Sequence, residues 1–542
     1  MNSVHPSVLV VGAGPVGLVA ALTLLQNGIP VRIIEKDHHP RIGQRGAGTW
    51  ARSLEVYNFL DVSEVNNLGK STPPSRSYKP GTLEPLKDSS MFPHLEPTPA
   101  IPFHAPKLMG QQLLDVILRR HLEKFSCSVE MGTELRSFKQ FDEGVTAILA
   151  KNGISETFDT KWIIGADGAK SIVRKQLGLT FLGESRDDTR LVTGDIRLTS
   201  VDLDRVHWHL FGNFNKRGLS LRATDEIAED GWQFYLYGRE LDLTKVAESE
   251  ELVFETIASL IPTEITFEKV VWMSDFRTNI RMVNKFSEGR VFVAGDAAHV
   301  HSPTGGQGLN SGVQDAFNLG WKLALVQKGL ADKSLLETYS AERLPVISEM
   351  LKMTTSILDK ATASGDLSAG RNPILYMLGI NCRFSTIVLD EFVERKPINA
   401  YGVLDEGHLE AGDRAPDAPN MLQVRGAELD TTTLFGLYRP WYHTMLVFSP
   451  SLADATPILG ALEAYDKCVV RSAVVLPSSA SVTPAASPDL ILVDREGYAY
   501  SAYLVEAGQT KVFVIRPDGV IGAIVHGTEG VKKYFSNIFF DA

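Results

Sequence analysis

Val8 to Val11 and Val31 to Ile34 are short runs dominated by apolar residues. Such runs predict strands buried on both faces, as in a parallel sheet covered by helices. Between them, Gly12-Ala13-Gly14-Pro15-Val16-Gly17 opens a helical run that lasts to about Asn27, and Gly28 supplies the stop. Residues 72 to 106, rich in Pro, Ser and His, predict a long irregular excursion. Met109 to Phe125 returns to helical periodicity, with Leu113, Leu114, Ile117, Leu118 and Leu122 on one face. Gly144 to Ala150 and Thr157 to Ile164 read as strands. From about Leu191 to Ser274 the texture turns to alternation, as in "VHWHLFG" and "WQFYLYG", which predicts antiparallel strands with one covered face.

Val291 to Ala294 is again an apolar strand, followed by a helix over Gly308 to Lys328. Gly308, Gly312, Ala316, Gly320 and Ala324 recur every fourth position, so a stripe of small residues lets another backbone lie close. Helical segments are expected to about Phe392. "GHLEAGDRAPDAPN" then reads as a linker, and the strand and helix pattern restarts beyond it, with a hairpin turning at Pro517-Asp518-Gly519.

The length of 542 residues fits about two or three domains. A net charge of -11 argues against non-specific binding to nucleic acid or anionic membranes. The uncharged stretch from Val8 to Leu25 has no basic flank or cleavage site and carries spaced glycines, so it reads as a buried strand and helix and not as a membrane span. Cys127, Cys382 and Cys468 form no CxxC and are expected to be small core residues in a reducing, cytoplasmic compartment, with a single disulfide left open.

Chemistry concentrates in three places. The first is the G-x-G-x-x-G turn between strand and helix. Gly12 allows the tight turn, Gly14 admits a pyrophosphate to the backbone, Gly17 lets helix and strand pack, and Glu35 closes the second strand where a ribose hydroxyl needs an acceptor. The second is "ADGAKSIVR" at 166 to 174. The third is "GDAAHVHSPTGGQGLN" at 295 to 310, which supports either a metal or proton-relay site on His299 and His301 or a ligand lying on the glycine-rich backbone. Two histidines two residues apart, with no acidic cluster, weigh against the metal.

Together these motifs resemble the single-component flavoprotein aromatic hydroxylases, the group of p-hydroxybenzoate hydroxylase and phenol hydroxylase, over roughly residues 5 to 345. "GDRAPD" and "VFVIRPDGVIG" further resemble the thioredoxin-like appendage of the phenol hydroxylase branch. The resemblance implies an α/β fold with a discontinuous Rossmann-like FAD-binding domain (1–75, 105–180 and 285–345). An antiparallel-sheet substrate domain (76–104 and 181–284), a helical connection (346–406) and a thioredoxin-like C-terminal domain (407–542) complete it. It places Asp296 at a ribityl hydroxyl of FAD, Pro303 and the backbone through Gly308, Leu309 and Asn310 along the isoalloxazine, and Asp167 with Arg174 near the pyrophosphate and the nicotinamide nucleotide. Arg45 falls in the flavin region and Gln111 at the ribityl chain, with Gln112 as an adjacent competitor.

The implied activity is hydroxylation of a phenolic substrate with NADPH or NADH and O₂, through a C4a-hydroperoxyflavin. Oxidative decarboxylation of a hydroxybenzoate is a variant on the same intermediate. Catalytic side chains are left open, with His301, Pro303, Tyr235 and Tyr237 as candidates. Trp208, His207 and His209 join the two tyrosines as candidate lining residues, although period-two alternation leaves two faces. Arg222 would suit a carboxylate, yet a single arginine on a strand usually faces solvent. The C-terminal domain lacks a dithiol and is expected to be structural, as a homodimer interface or a cover over the active site. Rival readings are a flavin-dependent reductase or oxidase, and a prenyl-protein escort factor that shares the nucleotide fold.

Overall fold

The computed structural model describes residues 5–199, 201–394, 399–425, 428–480 and 488–540. Each of the four expected domains includes one or more residues outside these ranges. Val8–Val11 forms the centre of a six-stranded sheet, paired in parallel with Val31–Glu35 on one side and Trp162–Gly165 on the other. Val291–Val293 follows Trp162–Gly165, also in parallel. Every residue of the first strand is buried, as an all-apolar run in a covered parallel sheet requires.

Helix Pro15–Gln26 leaves the first strand, and helix Gly308–Gln327 lies against it. The small-residue stripe makes that approach. A Cβ on Gly312 would stand 2.6 Å from Val16 Cγ2, and one on Gly320 would stand 2.5 Å from Thr23 Cγ2.

The alternating region builds an eight-stranded sheet around two long antiparallel partners, Phe181–Thr199 and Thr266–Val283. Gly231–Tyr237, Gly218–Ala223 and Trp208–Gly212 extend it. One face carries Val192, Leu219, Leu221, Trp232 and Phe234, packed with Leu243, Val246, Val253 and Ile257 of two short helices. The other face looks toward the nucleotide-binding half.

The C-terminal strands form a separate eight-stranded sheet. His443–Phe448, Val470–Pro477 and Leu490–Asp494 run parallel, and the hairpin Lys511–Ile515 and Ile521–Val525 joins antiparallel. Its apolar core is continuous with that of the first domain: one cluster runs from Val8 and Phe59 to Phe448, Phe513 and Ile524. A buried ionic seam lies across the junction. Arg516 donates to both oxygens of Glu342 (2.8 and 2.9 Å) and to both of Asp518 (3.0 and 2.5 Å). Lys322 and Ser385 also donate to Glu342, and Trp321 donates to Asp518.

Four expectations are corrected. Within 72 to 106, Ser75–Tyr78 and Pro85–Ser89 are strands, because Ser75 pairs with Trp208 across the sheet and Pro85 opens an edge strand that needs no donor there. Among the described residues, the helical connection over 346–406 is α-helical only to Ser364, where Gly365 adopts φ 74° and caps the end, and beyond it only Pro373–Tyr376 forms a 3₁₀ turn. The strand expected over Thr157 to Ile164 is two strands, Ile154–Thr160 and Trp162–Gly165, in different sheets. Cys127 and Cys382 are buried, but Cys468 is exposed; all three are free thiols.

Candidate cofactor and substrate site

The glycine turn is shaped by close approach. Gly12 holds φ 100°, and a Cβ there would stand 2.3 Å from Ala166 O; one on Gly17 would stand 1.9 Å from Gly12 O. Around Gly14, by contrast, the nearest atom is Arg41 Nη1 at 3.9 Å, so this face of the turn is open at the N-terminus of a long helix. Glu35 is buried beside it and accepts the Ala13 N–H at 3.0 Å and the Asp37 N–H at 3.2 Å.

Asp296 sits in the 3₁₀ turn Gly295–Ala297, at the end of the fourth parallel strand. Its side chain opens to solvent, yet the surrounding protein strips enough water to push its carboxyl above the ordinary carboxylate range, with His299 and Arg41 pulling the other way. The turn is clamped from behind. Asp315 accepts the Gly295 N–H (3.1 Å) and pairs with His299 Nε2 (2.7 Å) and Arg343 Nε (2.7 Å). Burial works to raise the Asp315 carboxyl, but Arg343 and His299 outweigh it and hold it low. Arg174 donates to Ala297 O (2.9 Å) and Ala169 O (2.8 Å) and stacks 3.7 Å from the Phe181 ring centroid. Asp167 caps the short helix after it through the Ile172 N–H (2.7 Å), and its Oδ1 is buried without a partner. The two residues therefore act on neighbouring backbone and make no ion pair with each other.

From Gly305 to Asn310 the side chains that remain point away from the open side. Gln307 donates to Gly305 O and Leu375 O and accepts Tyr401 OH. Asn310 accepts the Trp50 N–H at 2.8 Å and donates to Gly48 O and Gly306 O. Both fasten the loop and leave its backbone edge clear, while Pro303, Gly308 and Leu309 are half-buried along it. His301 Nδ1 meets Ser302 O at 2.5 Å, and burial lowers its pKa to about 4, so the ring is neutral at working pH. A Cβ on Gly308 would stand 2.4 Å from that ring. His299 is committed to Asp315, and among the described residues no group of three His, Cys, Asp or Glu is arranged for a metal.

The segment Gly43 to Gly46 meets the substrate sheet, with Gln44 N–H donating to Asp195 and Arg45 O accepting from Gln233. Arg45 has a left-handed backbone (φ 49°), its guanidinium lies 4.7 Å from the Trp272 ring centroid, and its Nε is buried without a partner. Burial and nearby Arg41 lower its pKa. The structure separates the two glutamines: Gln112 accepts the Gly43 N–H, whereas Gln111 faces Gly46, 3.9 Å from where a Cβ would be.

The register resolves which sheet face looks here. Trp208, Arg222, Gln233, Asp195 and Trp272 stand in one cross-strand row, and Ser220, Tyr235, Thr193 and Ser274 form the next. His209 lies on the other face, bonded to Tyr78 OH at 2.6 Å, and His207 pairs with Asp204, so neither joins this row. Arg222 is buried and not solvated, contrary to expectation. Its Nη2 donates to Gln44 Oε1 (2.9 Å) and Gln233 Oε1 (2.8 Å), and its Nε has no partner. Burial depresses its pKa.

The amide nitrogens then reach onward, Gln44 to Asp195 and Gln233 to Arg45 O. Each carboxamide orientation is fixed, because oxygen must face the guanidinium and nitrogen an acceptor. Burial drives Tyr235 up to about 12 and Tyr237 higher still, so both are neutral phenols. Gln44, Gln233 and Asp195 escaped the sequence reading, since nothing local marks them.

Residues 5–354 match the family model of the FAD binding domain. The chain is 31% identical to a flavin-dependent monooxygenase of Mycobacteroides abscessus, over 98% of this chain and 100% of that one. It is 29% identical to pentachlorophenol 4-monooxygenase of Sphingobium chlorophenolicum, over 96% and 94%. Among solved structures, aklavinone-11 hydroxylase in complex with FAD and aklavinone superposes with a TM-score of 0.79 at 23% identity, covering 99% of this chain and 100% of that one.

Proposed function

The chain belongs to the FAD binding domain family and is a flavin-dependent aromatic monooxygenase, and from that premise we propose how its residues divide the work. The residues present fit FAD: the face of the turn at Gly14 is open, the Asp296 carboxyl is exposed, and Asp167 Oδ1 and Arg45 Nε are buried without partners. When bound, FAD supplies redox chemistry that activates O₂ at the expense of NADPH or NADH. The helix N-terminus at Gly14 holds the pyrophosphate, Glu35 the adenosine ribose and Asp296 with Gln111 the ribityl hydroxyls. Pro303 and the backbone to Asn310 lie against the ring, with helix Gly308–Gln327 directing its positive end there.

The substrate is a phenolic ring held on the sheet face between Trp208 and Tyr235, with Arg222 facing an anionic oxygen, phenolate or carboxylate. A guanidinium with free N–H groups and no carboxylate partner supports that pairing. Tyr235 and Tyr237, neutral throughout, donate hydrogen bonds and do not act as bases. The C-terminal sheet supports a thioredoxin-like, structural appendage, and free thiols suit a reducing cytoplasmic compartment.

The observation that carries this reading is the exposed Asp296 carboxyl on a turn whose Gly295 packs against Val16, beside the open face at Gly14. Purified protein should be yellow. It should consume NAD(P)H under oxygen with some member of a phenol panel and return product heavier by one oxygen atom. Consumption that yields only peroxide across the panel would count against hydroxylation of phenols.

A further inference from the structure

We propose that Asp115 is a further cofactor-contacting residue, its carboxyl donating a hydrogen bond to an oxygen of the bound dinucleotide one helical turn along from Gln111; this rests on the flavoprotein reading above. Gln111 and Asp115 are four positions apart on helix Gln111–Glu123, so their side chains stack on one face. Asp115 is only 5% exposed, no described residue donates to its carboxyl, and its Oδ1 is sealed without a partner. Leaving such a group unmet costs stability, which a chain tolerates where a ligand meets it.

The charged and titratable groups around it come from every neighbouring segment. Arg119 lies one turn further on the same helix, Arg41, Arg45 and Glu35 come from the second strand and the loop after it, and Tyr57 comes from helix Ala51–Phe59. None of them bonds to Asp115. Arg45 Nε, Arg119 Nε and Tyr57 OH are themselves buried without partners. Arg41 ties the cluster to the nucleotide turn, since it lies 3.7 Å from Glu35 and 3.9 Å from the Cβ position of Gly14. Unmet donors and acceptors on three separate segments thus converge beside the phosphate-binding helix.

Burial raises the Asp115 carboxyl to about 7, against the pull of Arg119, Arg41 and Arg45. An anionic pyrophosphate nearby disfavours the carboxylate further, so the complex selects the protonated acid. FAD binds tightest below pH 7, where the acid is already protonated, and affinity falls as pH rises through 7, because binding must then take up a proton.

The test is the FAD dissociation constant of the full chain between about pH 6 and 8.5, read by flavin fluorescence, beside thermal melting. Wild type should loosen about tenfold for each pH unit above 7. Asp115→Asn, held neutral, should match wild type at pH 6 and stay tight at pH 8.5. Asp115→Leu should bind weakly at both. A flat wild-type profile would overturn the proposal, and so would an Asp115→Asn profile that tracks wild type. An Asp115→Leu protein of normal melting temperature that binds FAD like wild type would do the same. Wild type that takes up no FAD at any pH would instead sink the flavoprotein reading, and this inference with it.

Discussion

Two buried polar regions of this molecule are built on opposite terms. At the seam between the first domain and the C-terminal sheet, Glu342, Arg516, Asp518 and Lys322 satisfy one another, with Ser385 and Trp321 filling remaining positions. Between the nucleotide turn and the substrate sheet, Arg45, Arg222, Thr193 and Asp167 each keep a buried atom without a partner. Burial of an unmet polar group costs as much in either place. The ionic groups of the seam avoid that cost within the chain, although His443 and Tyr534 beside them keep buried atoms without partners; the second region leaves the cost on its charged side chains, where a bound ligand can offset it.

Substitutions that remove one side of each arrangement sharpen the contrast. The largest effect belongs to the seam: Glu342→Ala leaves Lys322 without a carboxylate and Arg516 with Asp518 alone and should cost about 3–5 kcal/mol, seen as a steep fall in melting temperature. A variant that melted like wild type would erase the distinction. At the nucleotide site, Asp296→Ala should leave melting of the flavin-free protein unchanged and weaken FAD binding by about 1.5–3 kcal/mol, roughly ten- to a hundredfold, in a fluorescence titration. Arg222→Gln should raise KM for an acidic phenol about tenfold or more while kcat moves less; equal loss with neutral and acidic substrates would argue that Arg222 only packs. The smallest effect is at Thr193. Replacing an unmet hydroxyl with Val should leave stability unchanged or raise it by about 1 kcal/mol, and a clear loss would mean that the hydroxyl is satisfied after all.

Legibility followed the range of the interactions. The glycine turn, the acid after the second strand and the small-residue stripe were readable because each is a local steric demand: Gly12, Gly17, Gly312 and Gly320 stand where a Cβ would collide. The face of the substrate sheet was not, since period two fixes alternation but not which side meets the other domain. Arg222 read as solvated for the same reason. Ser75–Tyr78 owes its strand to a partner more than a hundred residues away, which Pro-rich composition hid. Asp115 did carry a signal: an acid on the apolar face of an amphipathic helix, between Leu114 and Leu118, is out of place unless something meets it.

The shared apolar cluster has a practical meaning for modularity. Gly519, at the tip of the C-terminal hairpin, lies so near Phe59 that a Cβ would stand 2.5 Å from that ring. The segment 407–420 therefore resembles a boundary in sequence but is a poor place to cut. Truncating there would expose oily surface on both fragments, and grafting the appendage of a relative would demand that its tip reproduce one phenylalanine-sized contour.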